Sequence, residues 1–300
     1  MPFLENVLRG RNVPKERMLE VAEHYYHFGG RSPINDQNRA LIHAIRGLLD
    51  REGPPLPVYW GNRNWNPYLA DTLRQMRADG IRRAFAFVTS AYGSYSGCRQ
   101  YREDVARAQA AVGEGAPEIA KLPSFYNRPG FITANVDHLR EALRGFREVP
   151  HVVFTAHSVP LSMASTSPYV SQLEEAATRV ASQAGVRSWK LVYQSRSGPP
   201  TQPWLEPDVG DYLRSLNAQG HREVVIAPIR FISDHMEVLY DLDTEAAALC
   251  AELGMTMARA KTAGIHPEFI RSIRELILTG PQTCAADCCP PPQRPTVSIR

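Results

Sequence analysis

The chain has 300 residues, 43% of them hydrophobic, with 34 basic and 31 acidic side chains and a net charge of +3. That length and apolar content support a buried core in one large domain or two of about 150 residues. The charges are interspersed rather than clustered, which excludes a nucleic-acid footprint, and no apolar run is long enough to cross a bilayer.

Helical periodicity fills Lys15 to Phe28 and Asp36 to Leu49, with no strand before it. A doubly wound α/β half normally opens on a strand, so the natural start is expected upstream of Met1, with the first strand missing here. Beyond Leu56 strands and helices alternate. Val58 to Trp60 reads as a strand, Pro67 to Ala78 as a helix opened by its proline, and Ala84 to Thr89 as a strand. A second series follows, with a strand from Val152, a helix from Pro168 to Gln183 and a strand from Lys190 to Gln194. It continues through a helix from Asp208 to Asn217, a strand from Glu223 to Ile229 and an acidic helix from Met236 to Leu253. A strand from Met255 to Arg259 and a helix from Pro267 to Thr279 close it. Gly185 and Gly220 stand where helix C-caps are wanted. The pattern predicts an α/β fold of two similar doubly wound, Rossmann-like domains with parallel sheets. Residues 1–135 and 136–279 form the halves, and 280–300 a Pro/Cys-rich tail whose triple proline excludes helix.

Val152-Val153-Phe154-Thr155-Ala156-His157 carries a β-branched apolar strand straight into an imidazole, and strand carboxyl ends are where such folds do chemistry. Val224-Val225-Ile226-Ala227 does the same ahead of Ser233-Asp234-His235-Met236-Glu237, so two strand ends face one crevice. Glu237, Asp241 and Glu245 recur every four residues on one helix face. Like charges at that spacing oppose each other, and a divalent metal such as Mg²⁺, Mn²⁺ or Fe²⁺ would relieve them. The odd count of five cysteines argues against a secreted disulfide framework and for the cytoplasm. Cys284, Cys288 and Cys289 crowd the tail as a zinc or iron–sulfur donor set that wants a fourth ligand. Cys98, in the loop Tyr92-Gly93-Ser94-Tyr95-Ser96-Gly97-Cys98, and Cys250, in an apolar helical stretch, are the candidates.

With Phe154-Thr155-Ala156-His157-Ser158-Val159-Pro160, Tyr193-Gln194-Ser195-Arg196, Trp204-Leu205-Glu206-Pro207-Asp208 and Ser233-Asp234-His235-Met236-Glu237, the chain resembles the ferrochelatases over nearly its whole length. The resemblance implies a lyase that inserts Fe²⁺ into a porphyrin held in a cleft between the domains. It makes His157 and Glu237 the facing catalytic and metal-binding pair, with Asp241 and Glu245 conducting or storing metal on a helix with a π-type widening. Arg63, Tyr92 and Tyr95 would line the porphyrin. The cysteines look most like those of the actinobacterial-type branch, which implies a [2Fe–2S] cluster on Cys98, Cys284, Cys288 and Cys289. The same branch implies coproporphyrin III as substrate in haem synthesis, with protoporphyrin IX as the alternative. A sirohydrochlorin-type chelatase, which would want paired histidines at the metal, and a non-catalytic tetrapyrrole or iron sensor are the rival readings.

Overall fold

The computed structural model describes Ala22, Tyr25, Tyr26 and residues 28–198, 201–282, 284–285 and 287–291. Most of the helix expected between Lys15 and Phe28, and the start of the chain before it, lie outside those residues. The first helix described throughout is α1 (Ile34–Glu52), followed by α2 (Leu69–Ala78) and β1 (Arg83–Ala86). A π-helical turn (Tyr95–Arg99) runs into α3 (Gln100–Val112), and β2 (Glu118–Lys121) and α4 (Pro129–Leu143) come next. The C-terminal series is β3 (His151–His157), the short α5 (Leu161–Ala164), α6 (Tyr169–Ala184), β4 (Trp189–Gln194), α7 (Val209–Ala218) and β5 (Glu223–Ala227). A continuous helical segment then passes through α8 (Met236–Val238), a π helix (Leu239–Ala246) and α9 (Ala247–Glu252), before β6 (Thr256–Arg259) and α10 (Pro267–Thr279).

The fold is α/β with parallel sheets. One sheet has the order β4-β3-β5-β6, and the smaller one pairs β1 with β2. All pairings are parallel, and His157 lies opposite Gln194 in register. Strand β3 is sandwiched between two layers, which is why it reads as an unbroken apolar run. Val152, Phe154 and Ala156 pack into the larger core with α1, α4, α6 and α10. Val153 faces the other way, into a core built by α7, the π helix and α9. Because strand side chains alternate, His157 shares the face of Val153 and Thr155, the face that the π helix covers. The core thus aims the imidazole.

Two expectations need correction. Val58 to Trp60 is not a strand, since its carbonyls accept side-chain hydrogen bonds from Arg46 and Thr72 instead of a neighbouring strand. Strand β5 stops at Ala227, where Pro228 brings no N–H and Ile229 turns back to donate to the Ala227 carbonyl at 2.8 Å. Helix α4, which spans residues 135 and 136, packs on α6 and α10. The approach of α4 to α10 requires a glycine, because a Cβ at Gly130 would lie 2.1 Å from the Glu268 carbonyl oxygen. Pro129 at the start of α4 is a helix-opening signal that the sequence does contain.

Candidate active site

His157 ends β3 with its ring at the mouth of the sheet, 24% exposed. Its Nδ1 lies 2.6 Å from the Ser158 carbonyl oxygen. A carbonyl only accepts, so in the neutral ring the proton sits on Nδ1 and Nε2 carries the free lone pair. That nitrogen faces the Glu237 Oε2 at 3.9 Å. Glu237 is placed by the start of α8, where His235 caps the helix by accepting the Glu237 N–H through Nδ1 at 3.2 Å. Burial raises the Glu237 carboxyl, but the charges at His157, His235 and Arg230 outweigh it and hold the group below the ordinary carboxylate range. Its side chain keeps 48% exposure, so water still reaches it. Two acceptor groups facing across such a gap form a seat for a proton or a cation.

The remaining carboxylates run outward along the π helix. Asp241 is half-buried and accepts hydrogen bonds from the Gln194 amide at 3.0 Å and from the Ser195 hydroxyl. Ser195 reaches it from a left-handed backbone with φ of 60°, a conformation unfavourable for a side-chain-bearing residue and found where function holds it. Burial pushes the Asp241 carboxyl up to about 6, against those two hydrogen bonds and with Glu237 and Glu245 adding repulsion. Glu245 is exposed at the outer end. Among the described residues no group of three or more His, Cys, Asp or Glu converges closely enough to hold a metal ion as placed. Glu237, Asp241 and Glu245 are thus spaced along the helix and do not gather into one ligand sphere.

Two arginines at the site carry no motif signal. Arg259, 15% exposed, forks onto Asp243 and also donates to Asp234 at 2.8 Å, tying β6 to both ends of the turn that carries Glu237. Arg230 follows β5 and donates its N–H towards the Thr155 carbonyl at 3.5 Å. Beside it, the Tyr169 hydroxyl donates to the His157 carbonyl at 2.9 Å. Only folding brings these partners together.

Of the loop residues expected to line the cleft, Arg63 is paired with Asp104 and lies over the Tyr101 ring at 4.3 Å. Tyr95 donates to Glu103 at 3.0 Å. Tyr92 is 1% exposed and spends its hydroxyl on the Ile229 carbonyl, so as placed it supports the cleft from behind. Cys98, Cys284, Cys288 and Cys289 line one cavity of about 600 Å³ with Lys121. Cys98 and Cys289 are buried, and Cys288 lies 3.6 Å from Cys289, sulfur to sulfur. A hydrogen bond from Cys289 lowers the Cys98 thiol to about 6 against its burial, helped by the charges of Lys121 and Arg102, while the Cys289 thiol is raised by the same contact. Cys250 is buried in the core beneath the π helix, and burial pushes its thiol up to about 11, so it is an inert packing residue.

The ferrochelatase family profile matches residues 1–280. A ferrochelatase of Rhodopirellula baltica is 54% identical over 99% of this chain and 91% of its own length. The coproporphyrin III ferrochelatases of Streptomyces coelicolor and Mycolicibacterium smegmatis are each 51% identical, over 93% and 92% of this chain and 80% and 84% of theirs. Among solved structures, CbiX, the terminal enzyme for siroheme biosynthesis in denitrifying bacteria, superposes with a TM-score of 0.53 over 82% of this chain and 93% of its own at 16% identity. SirB from Bacillus subtilis does so with 0.55 over 80% and 88% at 12% identity. At those identities the likeness is one of fold.

Proposed function

The chain belongs to the ferrochelatase family, and from that premise we propose that it inserts Fe²⁺ into coproporphyrin III to give coprohaem, in the cytoplasm. The observation that carries the chemistry is the facing of the His157 Nε2 lone pair and the Glu237 carboxylate at 3.9 Å, at the carboxyl end of a parallel sheet. A free-base macrocycle must lose two pyrrole protons as the metal arrives. His157 accepts them one at a time through Nε2, the first passing to water before the second is taken, while the Ser158 carbonyl holds the ring's other N–H and stabilises the imidazolium that forms each time. The ferrous substrate must shed water first, and Glu245, Asp241 and Glu237 offer carboxylate oxygens in succession from the surface to the cleft floor. Hydrogen bonds from Gln194 and Ser195 keep Asp241 facing that path. The porphyrin assignment draws on relatives at about half identity whose names specify coproporphyrin III.

The cysteine cavity fits a [2Fe–2S] cluster in donor chemistry. Four thiol side chains open onto it, and Lys121 lines the same cavity. Cys98, Cys284, Cys288 and Cys289 would hold the cluster, joining the tail to the loop that begins with Tyr92. When bound, such a group supplies a one-electron couple.

The test is anaerobic Fe²⁺ insertion by the purified chain with coproporphyrin III and protoporphyrin IX offered side by side. We expect turnover of coproporphyrin that His157→Ala reduces by about 10² to 10⁴. Preference for protoporphyrin IX would overturn the substrate, and full activity of His157→Ala would overturn the base. Stoichiometric binding without turnover would make the chain a tetrapyrrole sensor.

A further inference from the structure

The turn between β5 and α8 delivers His235 and Glu237 to the cleft, and three of its carbonyls are bonded from three different parts of the chain. Ile229 accepts from the Tyr92 hydroxyl at 2.9 Å, Ile232 from the Gly264 N–H at 2.8 Å, and Asp234 from the Gln37 side-chain amide at 2.7 Å. Gln37 belongs to the first turn of α1, 197 residues earlier in the chain, and the insertion scheme does not use it. Helix α1 is a firm base for it, because Leu41, Ile45, Leu48 and Leu49 bury the helix's apolar face in the larger core. The Asp234 carboxylate is held separately, by Arg259 of β6 at 2.8 Å. Gln37 and Arg259 thus grip one residue at two different atoms.

We propose that Gln37 is a positioning residue of the chelatase site, which locks the Asp234–His235 peptide and through it the start of α8. A peptide unit is planar, so fixing the Asp234 carbonyl also fixes the His235 N–H that shares its plane. His235 caps α8, and its Nδ1 accepts the Glu237 N–H at 3.2 Å. The His235 ring is held in turn by Phe231, whose ring centre lies 5.1 Å away in an edge-to-face arrangement. From the Gln37 amide to the Glu237 backbone every link is therefore bonded or packed. Without the Gln37 bond the Asp234 carbonyl turns to water, the cap loosens, and Glu237 no longer keeps its 3.9 Å separation from the His157 Nε2. Losing one part-exposed hydrogen bond changes stability little, whereas moving a reacting group by about 1 Å costs up to about 10² in rate. The role is therefore felt in turnover more than in folding.

The reaction part of this role rests on the chelatase reading and the positional part does not, so the experiment reads both. Gln37→Met, Arg259→Lys and the double variant are made in the full chain. Hydrogen exchange of the backbone amides in residues 234–240 is followed without porphyrin or metal, thermal melts check the fold, and steady-state Fe²⁺ insertion gives kcat and KM. Gln37→Met keeps the length of the side chain and loses the donor. It is expected to exchange this segment about tenfold faster and to lower kcat about tenfold, with KM for porphyrin unchanged and the melting temperature within a few degrees of wild type. Arg259→Lys, whose ammonium cannot fork onto Asp234 and Asp243 together, is expected to lower kcat by a similar factor. The double variant is expected to be about as slow as the slower single one, because either change releases the same residue, while independent supports would multiply. Unchanged exchange in Gln37→Met, a kcat within about twofold of wild type, or single losses that multiply in the double variant overturns the role. If Arg259→Lys does not fold, exchange and kcat of Gln37→Met decide alone. If the wild-type chain metallates neither porphyrin, the insertion reading fails and the exchange measurement still decides whether Gln37 holds the turn.

Discussion

At the residue scale the site rests on which atom of each side chain remains unspent. His157 gives Nδ1 to a carbonyl and keeps Nε2, and Glu237 has its backbone N–H taken by the His235 ring and its carboxylate left for the cleft. Glu237→Gln retains the shape and removes the charge that faces the imidazole. We expect it to lower kcat for Fe²⁺ insertion about a hundredfold. Steady-state kinetics over a range of Fe²⁺ concentrations checks this, and a change confined to KM would count against a role for Glu237 in the insertion step. Glu237 was legible because it follows a strand end on an acidic helix. Arg259 was not, since its partners Asp234 and Asp243 lie elsewhere in the chain and no local pattern joins them.

At the element scale, packing of α4 against α10 sets the side of the sheet opposite the π helix. Gly130→Ala forces a methyl group against the Glu268 carbonyl, and backbone cannot swing aside as a flexible side chain would. We expect a loss of about 3 kcal/mol, read as a lower denaturant midpoint. The tail makes a separate prediction. It docks through Cys289, and Arg102 donates to the Cys288 carbonyl at 3.4 Å. If the four cysteines hold a cluster, protein purified without oxygen contains iron and acid-labile sulfide in equal amounts, and Cys98→Ser loses both together with the visible absorption. Equal iron content in the two proteins would refute the assignment. The helices α3 and α4 and the strand β2 were not expected. Strand β2 has four residues and no strong alternation, so its pairing with β1 identifies it better than its own sequence does.

At the scale of the whole molecule, β3 links the site to the far end of the sheet, where His151 begins the strand. His151 is 9% exposed, with Nδ1 2.7 Å from the Ser188 hydroxyl and Nε2 3.0 Å from that of Tyr212. Burial, and then the neighbouring His221, lower its pKa from 6.5 to about 4. The folded state therefore binds this proton less readily than the unfolded chain does. Stability is full above pH 6.5 and is lost as pH falls towards 4, by on the order of 2 kcal/mol. Thermal melts across that window should show the fall, and His151→Gln should flatten it. A wild-type melting temperature that stays constant from pH 7 to 4 would contradict the assignment. By itself the sequence determined the α/β class and most strands of the larger sheet, and it set His157 at a strand end and Glu237 at a helix start, because alternation, capping and strand-end position are local properties that each segment carries along the chain. Only the tertiary structure decided that α4 packs on α6 and α10, that Tyr92 lies in the core, that Asp241 is held by Gln194 and Ser195, and that Arg259 ties β6 to Asp234 and Asp243. Those facts depend on side chains dozens of residues apart meeting across packed elements, which no local pattern encodes.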